Sequence, residues 1–320
     1  VILRKCIAAL LLVLGCASTA HSQSGALFLL VPFGARAVGM GEAISADTAL
    51  GAEGVWWNAA ALARQKSKEA ALHYSQTLLA NSVMATVVVP SRVFGTLAMG
   101  AYDVNYGDQQ ATDQFTGAPI GVFSNHNYLL AVSYATPVGK RLGFGLTYKY
   151  LMFRFRCSGT CGNLPVLSGS SSAVDGGAQY VLPTSFPLTV GVSVRNVGPK
   201  LQIKDSPQAD PLPLVLQAGV SSRLPIASLK ASGASLDVSA DVLNADALGG
   251  TNIGLGASLG YQDMYVLRAG YKHQQGDGSG PSIGIGLQRG AIGIDLSRRF
   301  DRLSADLGET PTYIALRARF

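Results

Sequence analysis

From about residue 68 onward the chain keeps one rhythm: large apolar residues alternate with small or polar ones for eight to twelve positions, and Gly, Pro, Asn or Asp then interrupts. Leu188, Val190, Val192 and Val194 alternate with Thr189, Gly191, Ser193 and Arg195. Leu236, Val238, Ala240 and Val242 alternate with Ser235, Asp237, Ser239 and Asp241. Side chains on a strand point to opposite faces in turn, so this pattern predicts sheets with one apolar and one polar face. The strand cores expected are 69–76, 82–90, 93–105, 126–138, 141–156, 172–182, 187–197, 213–224, 233–244, 251–261, 264–274, 280–288, 290–300 and 312–320. An even number of strands about ten residues long suits a closed antiparallel barrel that crosses a bilayer. Past Tyr150 the apolar phase slips to Leu151, Phe153 and Phe155, which predicts a bulge or a strand rising above the membrane. Short links at Pro90-Ser91, Gly139-Lys140 and Gln262-Asp263 fit periplasmic turns. Segments 106–124, 157–171, 198–212 and 275–280 fit extracellular loops.

Composition strengthens the membrane reading. Charged residues are 14%, hydrophobic residues 48%, and Gly is 38 of 320. That is too apolar for a disordered chain and too poorly charged for a polar-surfaced soluble enzyme. Outside the N-terminus no apolar run reaches the length of a spanning helix, so a closed barrel is the remaining way to satisfy the backbone in lipid. Tyr74, Tyr128, Tyr134, Tyr148, Tyr150, Tyr180, Tyr261, Tyr265 and Tyr271 fall on the predicted lipid phase, as girdle residues do. Ile314, Leu316, Ala318 and Phe320 close the last strand in the same phase, like the C-terminal signal of barrels inserted into the bacterial outer membrane.

Arg4 and Lys5 before the apolar stretch 7–13, with Ser18 and Ala20 after it, read as an export signal over 1–22. An alternative is a lipoprotein box ending at Cys16. Removing the leader lowers Lys+Arg from 25 to 23 against 19 acids, a balance of +4 with no basic run, which argues against nucleic acid. Cys157 and Cys161 remain, spaced as a local disulfide in an outer loop.

Residues 23–67 lack the barrel rhythm and are expected to enter the lumen as a hatch ahead of the barrel, 68–320. They carry Gly34-Ala-Arg36-Ala-Val-Gly39-Met40-Gly41 and Trp56-Trp57-Asn58-Ala59-Ala60-Ala61-Leu62. These runs resemble the N-terminal signature of the PorV/PorQ outer-membrane family, itself similar to FadL-type long-chain fatty-acid transporters. The family's Asn-Pro-Ala stands here as Asn58-Ala59-Ala60, without the proline's rigidity. The resemblance implies fourteen strands, a hatch and an accessory role in type IX-like secretion, with secretion-machinery proteins and exported substrates as partners besides outer-membrane lipids. The alternative is a FadL-like conduit with a hydrophobic ligand.

Lys149, Arg195, Asp237, Asp241, Arg268, Lys272, Asp295 and Arg317 fall on the inward phase, as do Arg299 and Arg319. Paired, hydrated lumen walls explain them without further chemistry. His73, His126 and His273 sit in no zinc-protease motif or nucleophile elbow, and the Gly-x-Gly pairs lie in strands, where they leave room for lumen bulk. No catalytic residues, metal or cofactor are expected.

Overall fold

The computed structural model describes residues 25–320 apart from 114, 160–166, 205, 206, 208 and 307. The expected export signal and Cys16 lie outside those residues. Among the described residues the strands are β1 (Glu69–Gln76), β2 (Asn81–Ser91), β3 (Gly95–Thr112), β4 (Pro119–Val138), β5 (Leu142–Gly159), β6 (Leu167–Val181), β7 (Leu188–Val197), β8 (Leu201–Ile203), β9 (Ala209–Asp210), β10 (Val215–Leu224), β11 (Ala234–Ala245), β12 (Gly250–Tyr261), β13 (Tyr265–His273), β14 (Gly280–Arg289), β15 (Ile292–Arg299) and β16 (Thr312–Arg319). Fourteen close an antiparallel barrel: β1 pairs with β16 from Glu69↔Arg319 to Gln76↔Thr312, and β5–β6 completes the ring. The other two, β8 and β9, form a small ribbon hung on β6.

Outward positions are lipid-ready. Leu72, Val87, Leu97, Leu146, Leu267, Ile285 and Leu316 are exposed, as are eight of the nine expected girdle tyrosines. Tyr128 is half-buried because its ring stacks on His126. Inward positions on the same strands are buried, so apolar side chains cover the outside while the inside is a packed interior. The barrel is that of a bacterial outer-membrane protein, and the connections at one end, including 198–214 and 300–311, are longer than those at the other, which identifies the extracellular side.

Two expectations change. No bulge follows Tyr150: β5 stays in continuous register with β4 from Gly121↔Gly159 to Val138↔Leu142. What slips is the chemistry of each face. Leu151 is fully buried facing inward, with Phe153 and Phe155 behind it, while Arg154 and Arg156 are exposed outward above the apolar band. At 18 residues the strand exceeds the ten or so that cross a bilayer, which fits the second expectation. Much of 106–124 and part of 157–171 are also strand rather than loop, because β3, β4, β5 and β6 run to 18, 20, 18 and 15 residues and form a raised wall on one side. Register shifts lie instead in β3, between Asn105 and Asp108 and between Ala111 and Thr112, and in β6, between Val174 and Gly176.

Residues 25–64 fold inside the barrel as short helical turns over 27–30, 35–39, 51–53, 54–57 and 59–64, and nearly all their side chains are buried. They enter near the extracellular end, where the Gly25 amide donates to the Pro211 carbonyl at 2.9 Å. They leave at the periplasmic end, where Arg64 Nη2 donates to the Arg141 carbonyl at 2.5 Å.

Candidate functional site: a plugged lumen and its mouth

Glycine lets the hatch backbone lie directly on the wall. Gly41 has φ +62°, and a Cβ there would meet the Leu255 oxygen at 2.5 Å and the Tyr271 nitrogen at 2.7 Å. A Cβ on the facing Gly254 or Gly256 would meet the Gly41 or Met40 carbonyl at 2.5 Å. Gly254 and Gly256 of β12, with Gly270 of β13, thus leave room for hatch backbone, whereas Gly286 of β14 makes room for the Asp295 and Arg268 side chains. Gly39 sits against Ser297 and Arg268, Met40 is buried, and Gly34 has φ +84° with the Glu53 carboxylate beside it.

The lumen is chemically divided. On the β3–β5 side it is an aromatic core: Phe33 lies 5.2 Å from Trp57, 5.5 Å from Tyr102 and 5.9 Å from Trp56, with Leu129 and Leu151 buried in the same cluster. On the opposite side it is ionic. Arg268 Nη1 and Arg317 Nη2 both hold Asp295, at 2.6 and 2.5 Å. Lys272 Nζ and Arg299 Nη1 both hold Glu42 of the hatch, at 2.6 and 3.1 Å. Asp241 accepts from the Ile44 and Ser45 amides at 3.0 and 2.8 Å and from Gln217 Nε2 at 2.7 Å. Where the two sides meet, Lys149 of β5 bonds Asp175 at 2.5 Å and Asn196 at 3.1 Å through Nζ, and Arg195 stacks 4.7 Å over the Trp57 ring. Burying such charges is tolerable only when each finds a partner.

Seven of the eight inward ionic residues expected from the pattern therefore meet other buried groups, several of them on the hatch. Asp237 does not: it pairs at 2.8 Å with Arg223, which is exposed near the periplasmic rim. Within the hatch, Arg36 Nε and Nη2 donate to Asp47 at 2.7 and 3.1 Å. Asn58 Oδ1 accepts from the Ala60 amide at 3.1 Å while its Nδ2 donates to the Ser45 carbonyl at 2.7 Å, so the turn is tied without a proline. The Trp57 indole donates to the Phe33 carbonyl at 3.3 Å.

Pattern reading found Asp241 but missed two other carboxylates that receive the hatch backbone. Glu53 accepts from the Arg36 and Ala37 amides at 3.2 and 3.0 Å. Glu69 accepts from the Ala52 amide at 2.8 Å and pairs with Arg319 at 2.7 Å. Glu69 and His73 stand on the inward phase of β1 and could have been found by it, whereas nothing local marks Glu53. Burial pushes the Glu53 carboxyl up to about 7. For Glu42 burial acts the same way, but Lys272 and Arg299 outweigh it and hold that carboxyl below its usual value.

A cavity of about 290 Å³ opens at the extracellular end between hatch residues Leu27, Leu30, Val31 and Pro32 and wall residues including Leu78, Leu79, Leu248 and Leu303. Lys272, Arg299 and Asp301 reach its inner side. A smaller void of about 10 Å³ lies deeper, sharing Leu30, Val31 and Leu248 and reaching Phe33, Trp57 and Arg195. Among the described residues no group of three or more His, Cys, Asp or Glu could hold a metal. The expected Cys157–Cys161 staple involves Cys161, which lies in 160–166, outside the described residues.

No protein-family model and no curated protein matches the sequence. Solved structures do. The toluene transporter TbuX of Ralstonia pickettii superposes with a TM-score of 0.62 at 14% identity, covering 92% of this chain and 100% of that one. The toluene transporter TodX of Pseudomonas putida gives 0.63 at 10% identity, over 90% and 98%. A FadL homologue of Pseudomonas aeruginosa gives 0.55 at 14%, over 91% and 98%. These findings overturn the PorV/PorQ resemblance, and with it the secretion-accessory role and the secretion-machinery and exported-substrate partners it implied. The geometry supplies a reason: Gly39, Met40, Gly41, Trp57 and Asn58, which carried that resemblance, are buried against lumen strands or neighbouring hatch turns and present nothing to a partner. The fold is that of FadL-type channels of the bacterial outer membrane.

Proposed function

We propose that the protein is an outer-membrane conduit for small, uncharged hydrophobic molecules, with residues 23–67 as its gate and the signature residues Gly34, Arg36, Gly39, Met40, Gly41, Trp57 and Asn58 as the seat of that gate. The observation that carries the reading is the apolar mouth cavity of about 290 Å³ built jointly by hatch and loops. Its volume is at the low end for ligand pockets, nearer a single-ring hydrocarbon than a long acyl chain. Its polar side holds two cations, Lys272 and Arg299, already matched by Glu42 and Asp301 at 2.6 to 3.6 Å. A ligand's own carboxylate would find no unpaired cation among the described residues lining the cavity, which favours neutral cargo. The fold shared with proteins described as toluene transporters agrees with that chemistry.

Both tryptophans of the chain, Trp56 and Trp57, lie in the hatch, and Trp57 borders the deeper void. Titrating detergent-purified protein with toluene should therefore give a saturable change in tryptophan emission. Palmitate should give none, and Leu30→Trp, read by labelled-toluene binding, should abolish uptake into the cavity. Absence of saturable toluene binding, or binding unaffected by Leu30→Trp, refutes the reading.

A further inference from the structure

The raised β4–β5–β6 wall carries a second kind of site, on its outside. The outward residues of β5 are apolar or aromatic from Leu142 through Phe144, Leu146, Tyr148 and Tyr150 to Met152. Ten residues at about 3.3 Å each, tilted near 40°, rise about 25 Å, the height of the apolar band of an outer-membrane barrel. The next two outward residues are Arg154 and Arg156, both exposed, so their guanidinium groups stand at the headgroup level of the outer leaflet.

Neither arginine has an ion-pair or hydrogen-bond partner among the described residues. The chain from 157 to 174 contains no Asp or Glu, so the β5–β6 connection brings no carboxylate. Across the ladder, Arg154 faces Ser168 of β6 and His126 of β4, and Met152 faces Ser170 of β6. Two carboxylates approach from β3. Asp103 is bonded to His126 Nδ1 at 3.1 Å, and Asp108, opposite Ser124 and two strands from Arg156, forms no ion pair with it. Cations, hydroxyls and a tyrosine shelf on one outward face, directly above lipid-facing apolar residues, make up the chemistry that holds a phosphate attached to an acyl chain.

We propose that Arg154 and Arg156, with Ser168 and Ser170, bind the phosphate of a lipid headgroup in the outer leaflet and moor the raised wall to the membrane surface. The apolar face below would take that lipid's acyl chains, which a free anion lacks.

The test is native mass spectrometry of the full-length protein, delipidated and then equilibrated in mixed micelles with diphosphorylated lipid A. The wild type should retain the lipid at least tenfold better than Arg154→Gln/Arg156→Gln, and dephosphorylated lipid A should be retained no better than by that variant. Arg92→Gln, which removes an exposed charge from a periplasmic turn, should behave as wild type. Arg154→Lys/Arg156→Lys, which keeps the charge, should retain an intermediate amount. Heat-modifiable gel mobility checks that every variant is a closed barrel. Equal retention by the Gln double variant, equal retention of the dephosphorylated lipid, or displacement by millimolar inorganic phosphate would each overturn the proposal; the last would mean a soluble-anion site.

Discussion

Replacing Gly41 by alanine isolates the contact that seats the hatch. The residue is left-handed at φ +62°, and its new Cβ would meet backbone of both β12 and β13, at 2.5 Å from the Leu255 oxygen and 2.7 Å from the Tyr271 nitrogen and oxygen. Backbone atoms in a closed ladder cannot rotate aside, so hatch or wall must shift. A left-handed alanine alone costs about 1–2 kcal/mol, and forcing bulk into a packed interior adds about 1–3 kcal/mol. Gly290 supplies the control. It has φ +58° in the β14–β15 turn, and a Cβ there meets nothing within 4 Å, so Gly290→Ala carries the conformational cost without the clash. Together these come to about 2–5 kcal/mol, so hydrogen exchange of residues 25–64, followed by mass spectrometry, should quicken about 30- to 3000-fold in Gly41→Ala, since about 1.4 kcal/mol is tenfold in an opening equilibrium. In Gly290→Ala the hatch should exchange as in wild type. Planar-bilayer recordings should show larger or more frequent openings only in the first variant. If the two variants protect the hatch equally, the close approach of backbones is not what seats it.

Other consequences follow from the buried charges. The Glu53 carboxyl is raised to about 7 from 4.5, so the folded state binds its proton more tightly than the unfolded chain does. The stability this lends is complete below about pH 4.5 and is lost as pH rises through 7, roughly 3 kcal/mol in all. Hatch protection should fall between pH 5 and pH 8 in the wild type, and that portion of the slope should vanish in Glu53→Gln. Asp175→Asn leaves Lys149 buried with only Asn196, and should cost about 3–5 kcal/mol in urea unfolding, whereas Lys149→Met/Asp175→Leu should recover most of it. Arg223→Gln or Asp237→Asn, at an exposed pair, should change stability by less than about 1 kcal/mol in the same measurement.

The two-residue rhythm by itself determined the barrel. Strand number, the ends of β1, β12 and β16 to within a residue or so, and the outward tyrosines all follow from alternation, because a side chain in lipid and a side chain inside the wall obey opposite solvation rules at every step. The inward ionic positions were legible on the same ground. Their partners were not. Glu42 meets Lys272 and Arg299 across more than two hundred residues, and Asp241 receives amides from Ile44 and Ser45. No local pattern encodes which of several buried charges a neighbour will neutralise. The apolar inner face at Leu151 looked like a slipped phase because the sequence records hydrophobicity but not what a side chain touches, and only the folded hatch turns that part of the lumen into a core. The signature glycines read as a family mark, yet their physical meaning is the space they leave for a second backbone. That space exists only once strands far apart in the chain have closed around the hatch, and so the tertiary structure alone decided how the hatch is seated and where its mouth cavity opens.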